Sequence, residues 1–170
     1  MIYAVASGKG GTGKTTVTAS LAAIWDRPLM AVDLDVEEPN LHLFLNPDIT
    51  AEEKAMMEIP VLDPERCTLC GQCAEFCQYK ALALMGKKLV IFPEMCHGCG
   101  GCLALCPEGA LSPGGRELGS ILSGSFATDA VKAGRADFIM GRLRVGEAMS
   151  PPLMRQVKAR LPRHGDDRDV

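Results

Sequence analysis

The sequence predicts an α/β fold with a parallel sheet, into which a small cysteine-rich module is inserted. Hydrophobic residues make up 47% of the 170 residues but aromatic residues only 5%, which indicates a core of aliphatic and alanine side chains. Near the N-terminus, two short apolar runs flank a segment of helical periodicity, as in a parallel sheet. All eight cysteines fall between residues 67 and 106. A sheet domain interrupted by a separate module explains this distribution.

The first elements are predicted to form a strand, a helix and a second strand. Residues 2–6, IYAVA, read as a buried strand that ends at a glycine-rich loop, and 29–33, LMAVD, read as another. Between them a helix is predicted over 14–25. Its apolar residues recur at i, i+4, i+7 and i+8, which predicts one buried stripe: Val17, Leu21, Ile24 and Trp25. Two strands joined by a helix predict a parallel pair with a right-handed crossover.

The later elements are two strands and one helix. Strands are predicted over 117–124 and 136–146. The final helix is predicted to begin with Ser150 as its N-cap and Pro151 at its first position.

Composition sets the expected domain boundaries. From Pro60 to Ser112 the sequence becomes rich in cysteine and glycine. We therefore expect residues 1–59 and 113–170 to form one domain around an inserted module at 60–112.

The glycine-rich loop has the Walker A pattern, with Gly8, four residues, then Gly13-Lys14-Thr15 between a predicted strand and helix. Glycines let the backbone curl so that consecutive N–H groups point at phosphate oxygens. Lys14 would meet the β- and γ-phosphates and Thr15 would hold Mg²⁺. A glycine turn without a ligand is the alternative, and nothing in the loop selects adenine over guanine. The predicted nucleotide-binding residues are Gly8, Lys9, Gly10, Gly11, Thr12, Gly13, Lys14, Thr15 and Thr16.

The stretches KGGTGKT and AVDLDVEEPNLHLFL resemble the deviant Walker A box and D-x-D segment of the MinD/ParA/Mrp and nitrogenase-iron-protein ATPases. This resemblance implies a P-loop NTPase core that uses ATP, ADP and Mg²⁺. It also implies a homodimer through the nucleotide site, in which Lys9 reaches the partner's nucleotide. In that family's pattern Asp35 positions the attacking water and Asp33 lies near Mg²⁺, so the implied catalytic residues are Lys9, Lys14 and Asp35.

Each of these three family roles has an alternative that rests on the residues alone. Lys9 could be a solvated lysine. Asp33 could be an acid at the end of a Walker B strand, and Asp35 a turn or capping aspartate.

The cysteines form a duplicated unit, in which Cys-x2-Cys-x2-Cys-x3-Cys occurs twice with a displacement of 29 residues. This is the ligand spacing of two [4Fe–4S] clusters, where the fourth cysteine of each run binds the other cluster. The predicted sets are Cys67, Cys70, Cys73 and Cys106 for one cluster, and Cys96, Cys99, Cys102 and Cys77 for the other. Zinc is the alternative, because CxxC pairs also suit tetrahedral Zn²⁺.

Residues 60–112 resemble a bacterial-type ferredoxin along their whole length, including CPEGAL at the end. The resemblance implies an α+β 2[4Fe–4S] module. The proline that usually follows the fourth cysteine is present as Pro107 but replaced by Gln78 in the first repeat, which puts the local turn in question. His97, between two ligands, is expected to be a surface residue.

Together these motifs resemble the MinD-superfamily ATPases with an inserted ferredoxin domain, over residues 1 to about 160. The expected function is ATP binding and hydrolysis coupled to electron transfer through two [4Fe–4S] clusters. A cluster carrier that delivers iron–sulfur clusters to apoproteins is one alternative. A positioning ATPase with a ferredoxin docking module is another. The redox or apo-protein partner is not named by the sequence.

Charge, hydropathy and cysteine spacing indicate which partners and which cellular compartment to expect. The net charge is −3 and no Lys/Arg run occurs, so no nucleic-acid partner is expected. No run of about 18 apolar residues exists, so no membrane span is expected. Clustered CxxC spacings favour metal ligands in a reducing compartment, which predicts a cytoplasmic protein.

The family resemblance also implies a further apolar strand that ends in Asp and leads into a switch loop. Residues 116–170 contain no such segment. We therefore predict a truncated chain in which Val170 is the first residue of that strand, with weakened nucleotide binding and poor hydrolysis.

Overall fold

The computed structural model describes residues 1–128 and 134–162, which divide into two units. The first unit comprises 1–55 and the chain from 119 onward, and the second comprises 56–118. The boundaries expected from composition, at 59/60 and 112/113, fall inside two long strands, 48–62 and 111–127. Val170 lies outside the described residues.

Five short helices, six strands and one 3₁₀ turn at Pro93–Met95 occur among the described residues. In chain order the helices and strands are α1 (Lys14–Ile24), β1 (Met30–Asp33), α2 (Leu41–Leu45), β2 (Asp48–Leu62), α3 (Gln72–Phe76), β3 (Leu82–Met85), β4 (Lys88–Ile91), α4 (Gly101–Leu105), β5 (Leu111–Ala127), β6 (Arg135–Leu143) and α5 (Ser150–Ala159). None of the helices in this described part of the chain is long and apolar enough to cross a membrane.

The larger sheet is mixed, so the prediction of a parallel sheet is only partly right. Its strand order is β1-β6-β5-β2. Strand β1 runs parallel to β6, with Asp33 opposite Met140. Strands β5 and β6 run antiparallel, with Gly119 opposite Leu143. The antiparallel pair fits the short connection: only residues 128–134 separate β5 from β6, fewer than the dozen or so that a crossover between parallel strands needs.

Residues 2–6 do not form the predicted strand, and the predicted strand–helix–strand unit is therefore wrong for this structure. Residues 1–7 have no strand pairing and are exposed. Strand composition alone is insufficient, because the backbone of a strand needs a partner for its ladder hydrogen bonds. Within the described residues, β1 pairs with β6 instead. Tyr3 packs edge-on against Trp25, with ring centroids 5.0 Å apart.

The predicted buried stripe of α1 is also wrong. Val17, Leu21 and Ile24 are 49%, 38% and 74% exposed. The helix instead buries Ala22, and Ala19 packs against the same core. Small side chains on this face let the helix lie close to its neighbours, while the large apolar side chains point away from the core.

The core of the first unit lies mainly on β5 and β6; most of it is aliphatic or alanine, as the sequence predicts, but it also contains two aromatic side chains, Phe126 and Phe138. Its buried residues are Ala22, Ala31, Leu41, Leu122, Phe126, Ala136, Phe138 and Met140. Gly141 of β6 faces Val36 and Val157. A Cβ at Gly141 would lie 2.8 Å from Val36 Cγ1 and 2.9 Å from Val157 Cγ2. The glycine therefore permits the close approach of α5 to the sheet.

Helix α5 begins at Ser150, one residue earlier than predicted, and its N-cap is Met149. The Ser150 hydroxyl donates to the Glu37 carboxylate rather than capping an amide of its own helix. The predicted N-cap role of Ser150 is therefore wrong. The hydroxyl of Ser150 bonds to Glu37, a residue distant in the sequence, instead of to a backbone N–H of its own helix.

The second unit contains α3, α4 and the antiparallel β3–β4 hairpin, in which Leu82 lies opposite Ile91 and Met85 opposite Lys88. Its core consists of cysteines together with apolar side chains, among them Ala81, Leu82, Leu89 and Leu111. Six of the eight cysteines, all except the exposed Cys70 and Cys99, are therefore packed among apolar side chains.

Candidate functional site

The glycine-rich loop is held by hydrogen bonds within itself. The Thr12 hydroxyl donates to Ser7 Oγ over 2.7 Å, and the Ser7 hydroxyl donates to the Lys9 carbonyl over 2.6 Å. The Lys9 N–H donates back to Ser7 Oγ over 3.1 Å. Ser7 therefore organises the loop, a role that sequence analysis did not assign to it.

The loop is open to a ligand. Gly11 and Gly13 have φ of 73° and 84°, in the left-handed region that favours glycine, and Gly13 is the N-cap of α1. A Cβ placed at Gly8, Gly10, Gly11 or Gly13 would meet no heavy atom within 4 Å. The space beside the loop backbone is thus unfilled, as an anion at a helix N-terminus requires.

Hydrogen bonds to the Asp33 carboxylate connect the end of β1 to the start of α2. One carboxylate oxygen, Oδ1, accepts the Asp35 N–H at 3.0 Å. The other, Oδ2, accepts the N–H groups of Asn40 and Leu41 at 3.1 and 3.0 Å. The residue is only 7% exposed. Its carboxylate therefore satisfies three backbone donors at the sheet edge.

Thr15 joins this cluster through Asn40. The Thr15 hydroxyl donates to Asn40 Oδ1 over 2.6 Å. This contact brings the first turn of α1 to the segment after β1, where Asp33 binds the Asn40 amide. Sequence analysis missed Asn40, although an asparagine after proline just ahead of a helix is a recognisable capping signal.

Within the part of the chain that the structure describes, no side chain of the other predicted nucleotide-site residues is seen to hydrogen-bond to Thr15, Asn40 or Asp33. Lys9, Thr16 and Asp35 are exposed, and Lys14 is half-buried at the start of α1. Asp35 meets Asp33 only through its own backbone N–H. The structure thus brings Thr15 and Asp33 together through Asn40, and leaves the side chains of Lys9 and Asp35 facing solvent.

The eight cysteines line two separate cavities in the second unit. One cavity is lined by Cys67, Cys70, Cys73 and Cys106, with Leu69, Leu84 and Leu89 among its other walls. The other is lined by Cys96, Cys99, Cys102 and Cys77, with Tyr79, Leu82 and His97. We call these the first and second cavities. Each cavity receives three cysteines from one repeat and the fourth from the other.

Backbone amides point at the sulfurs. Cys77 Sγ accepts the Ala81 N–H at 3.3 Å, and Cys106 Sγ accepts the Ala110 N–H at the same distance. Cys96 Sγ accepts the Gly98 N–H at 3.4 Å. Such hydrogen bonds stabilise negative charge on a thiolate.

Burial opposes ionisation at two of the cysteines. It raises the pKa of the Cys73 thiol; backbone hydrogen bonds lower that pKa, and the nearby Cys106 and Cys70 raise it again. Burial likewise raises the pKa of the Cys102 thiol, and electrostatic interaction with the nearby Cys96 and Cys99 raises this pKa further. Neutral thiols are therefore favoured at these two positions when no cation neutralises the group.

The replacement of proline by Gln78 leaves the turn unchanged. After Cys77, the Lys80 N–H donates to the Cys77 carbonyl over 3.1 Å, and after Cys106 the Gly109 N–H donates to the Cys106 carbonyl over 3.1 Å. Both turns also place an amide 3.3 Å from the cysteine sulfur. The turn that the sequence put in question therefore has the same hydrogen bonds in both repeats.

His97 is exposed, as expected, and it stacks on Tyr79 with ring centroids 3.7 Å apart and an interplanar angle of 13°. The two rings come from different repeats and lie side by side on the wall of the second cavity.

Among residues 1–128 and 134–162, no three His, Cys, Asp or Glu side chains converge closely enough to hold a single metal ion. All eight cysteines are free.

Comparison with known families supports the iron–sulfur interpretation of the second unit. Residues 59–107 match the family model described as a 4Fe-4S dicluster domain. This match supports a ferredoxin-like iron–sulfur module in an α/β chain.

Three proteins of Methanocaldococcus jannaschii are similar to parts of this chain. The uncharacterized protein MJ0578 is 32% identical over 88 residues, which is 48% of this chain and 30% of that protein. The uncharacterized ATP-binding protein MJ0169 is 47% identical over 49 residues, 27% of this chain and 19% of that protein. The uncharacterized protein MJ0579 is 34% identical over 93 residues, 53% of this chain and 34% of that protein. The matched segments thus span about a third or less of these relatives.

Proposed function

We propose that the chain is an iron–sulfur protein that transfers electrons through two [4Fe–4S] clusters, and that a nucleotide bound at the glycine-rich loop controls this transfer. The observation that carries the proposal is the division of the eight cysteines into two cavities, each lined by three cysteines of one repeat and the fourth of the other. The family match over 59–107 supports the same interpretation.

The residues of both cavities suit a cubane cluster. Four thiolates supply its ligands, and amide groups such as those of Ala81 and Ala110 donate to the sulfurs. When bound, each cluster would accept or release one electron at a time. Apolar walls such as Leu82 and Leu89 limit the access of water, which lowers the local dielectric and so influences the reduction potential.

The glycine-rich loop suits the phosphates of a nucleotide. Its amides and the N-terminus of α1 would bind the phosphate oxygens, with Lys14 neutralising their charge. Thr15 and Asp33, which the structure links through Asn40, would hold Mg²⁺. The ATP-binding protein MJ0169, similar over 49 residues, supports a nucleotide ligand.

The MinD/ParA/Mrp resemblance extends this proposal to hydrolysis. Asp35 would orient the attacking water, and Lys9 would reach the nucleotide of a second copy in a homodimer. The exposure of both side chains leaves them available for these roles. The nucleotide state would then alter how the clusters exchange electrons with a partner.

Reversible reduction of the purified, cluster-loaded protein tests this proposal. We expect the visible absorbance to bleach with dithionite and return on reoxidation, while the iron content stays constant. MgATP should change the rate of reoxidation relative to MgADP, and the Lys14→Ala variant should cycle without that nucleotide effect. Transfer of iron and sulfide to an apo-ferredoxin, with no redox cycling, would identify a cluster carrier instead.

A further inference from the structure

The two cysteine repeats can be compared position by position, and they differ in what covers them. Leu69 and Gly98 occupy equivalent positions, two residues after the first cysteine of each run, and have φ of 58° and 65°. Glycine is needed in the second repeat, because a Cβ at Gly98 would lie 3.0 Å from both the Glu58 carbonyl oxygen and Met57 Cγ. Strand β2 therefore covers this loop of the second repeat.

The same loop of the first repeat carries a large apolar side chain at its surface. Leu69 holds a left-handed conformation that costs a leucine free energy, and its side chain is 38% exposed. A glycine would adopt this conformation without strain. Leu69 therefore presents apolar surface next to the exposed Cys70 at some cost to folding.

One further apolar side chain, that of Leu84, extends this surface. Leu84 of β3 reaches the turn after Cys70, where its Cδ1 would lie 3.1 Å from a Cβ at Gly71. Leu84 is 44% exposed; the next residue, Met85, is 59% exposed on the other face of the hairpin, since side chains alternate along a strand. Both Leu69 and Leu84 line the first cavity. At the equivalent positions of the second repeat, 29 residues on, the sequence has Pro113 and Gly114 in place of Leu84 and Met85.

The charge beside this apolar surface is positive. Lys87 and Lys88 lie at the tip of the β3–β4 hairpin, where Lys88 is opposite Met85. Residues 79–93 include three lysines and no Asp or Glu. Glu108 is the one acidic residue among the described residues that line the first cavity. An apolar patch beside lysines complements a surface whose apolar centre is ringed by carboxylates.

We propose that Leu69 and Leu84, with Lys87 and Lys88 at the tip of the adjoining hairpin, form a docking face for an acidic redox protein that exchanges electrons with the group held by Cys67, Cys70, Cys73 and Cys106. This inference rests on the proposed function of the cysteines as cluster ligands. One electron leaves the reduced cluster, which is oxidised, and enters the one-electron centre of the partner, which is reduced; no covalent bond forms between the proteins, and a flavin that is reduced to its neutral semiquinone takes up one proton from water. The exposed Cys70 favours a redox partner over a membrane surface or a nucleic acid, since these would make no use of it.

Flavodoxin, a small acidic protein with a one-electron flavin centre, is a suitable probe. Stopped-flow mixing of the dithionite-reduced holoprotein with oxidised flavodoxin measures the second-order rate constant of transfer. Neutralising both lysines, Lys87→Gln with Lys88→Gln, should lower this constant at least about tenfold at low salt. The deficit should shrink as salt is added. Glu108→Gln should raise the constant.

Apolar contacts are tested separately. Leu69→Gly keeps the left-handed backbone without strain and removes only the side chain, so the cluster should remain intact. Its apparent affinity for flavodoxin should fall about fivefold. Lys80→Gln is the matched control. It also removes a lysine from this unit, but Lys80 is next to Tyr79 of the second cavity rather than at the docking face. The rate constant of this variant should stay near that of the unaltered protein.

The outcomes separate this inference from the proposed function. Absence of iron and sulfide in the purified protein would overturn both. In a second outcome, the clusters are present and reduce methyl viologen reversibly, while the Lys87/Lys88 variant and Leu69→Gly transfer electrons to flavodoxin as fast as Lys80→Gln. That result would overturn the docking face and leave the proposed function of the cysteines intact. Tight binding of these lysines to anionic phosphatidylserine vesicles, without any effect on transfer, would assign the face to a membrane and also overturn the inference.

Discussion

Cys77 and Cys106 accept equivalent amide hydrogen bonds of 3.3 Å, yet each lines the cavity of the other repeat. The donors, Ala81 and Ala110, both lie four residues after the cysteine. The last cysteine of each run thus leaves its own repeat and lines the other repeat's cavity. This exchange makes each repeat dependent on the other for its fourth cysteine.

The exchange predicts which cluster each substitution damages. Cys77→Ser should remove the cluster of Cys96, Cys99 and Cys102, with a loss of about four iron atoms, and leave the one of Cys67, Cys70 and Cys73. Cys106→Ser is the matched variant and should have the reverse effect. Electron paramagnetic resonance of the reduced variants distinguishes the two signals. Loss of the same signal in both variants would show that the ligands are not exchanged.

The two cavities also predict unequal thiol reactivity in the protein without clusters. Cys70 and Cys99 are exposed, whereas Cys73 and Cys102 are buried. Because burial raises the pKa of the Cys73 and Cys102 thiols, less of the reactive thiolate is present at neutral pH. Iodoacetamide should therefore label Cys70 and Cys99 first, and raising the pH should speed labelling at the buried pair. Peptide mass spectrometry over time measures this, and equal rates at all four positions would contradict the structure.

Lys14 is predicted to serve the nucleotide and not the clusters. Lys14→Ala should weaken MgATP binding at least about tenfold, because a cation that neutralises the phosphates is lost. Iron content should be unchanged, because the cysteines lie in the other unit. Isothermal titration calorimetry gives the affinity, with the exposed Lys158→Ala as the control. Unaltered affinity in Lys14→Ala would contradict the Walker A assignment.

Asp33 and Asp35 are predicted to respond differently to the same change. Asp33→Asn places an amide among three backbone donors and should lower the free energy of unfolding by about 1–3 kcal/mol. The exposed Asp35→Asn should change stability by less than about 0.5 kcal/mol while slowing ATP hydrolysis. Urea unfolding followed by Trp25 fluorescence reports on this unit. Equal stability of the two variants would show that the Asp33 contacts contribute little.

The features that sequence analysis predicted are those fixed by local spacing. The grouping of the first three cysteines of each run follows from intervals of three residues, which bring side chains together around one turn; the fourth reaches the other repeat's cavity only through the fold of the unit. The start of α1 at Lys14 is also local, because Gly13 adopts the left-handed N-cap conformation that glycine favours. The metal ligands, Lys9 in trans and Asp35 as a catalytic residue stay predictions.

The features that it missed depend on distant partners. Strand β2, 15 residues long and rich in charge, follows no simple strand pattern; it pairs with β5, far along the chain. Residues 2–6 have strand composition but no partner in the described structure, and α1 buries alanines rather than its large apolar side chains. Asn40 reaches Thr15 through a single hydrogen bond, and Ser7 makes three hydrogen bonds within the glycine-rich loop; no spacing rule indicates these contacts.

The iron and acid-labile sulfide content of the anaerobically purified protein tests the central claim most directly. Two cubanes predict about eight iron atoms and about eight sulfides per chain, lost together on treatment with a chelator and an oxidant. One or two equivalents of zinc with little sulfide would contradict the account.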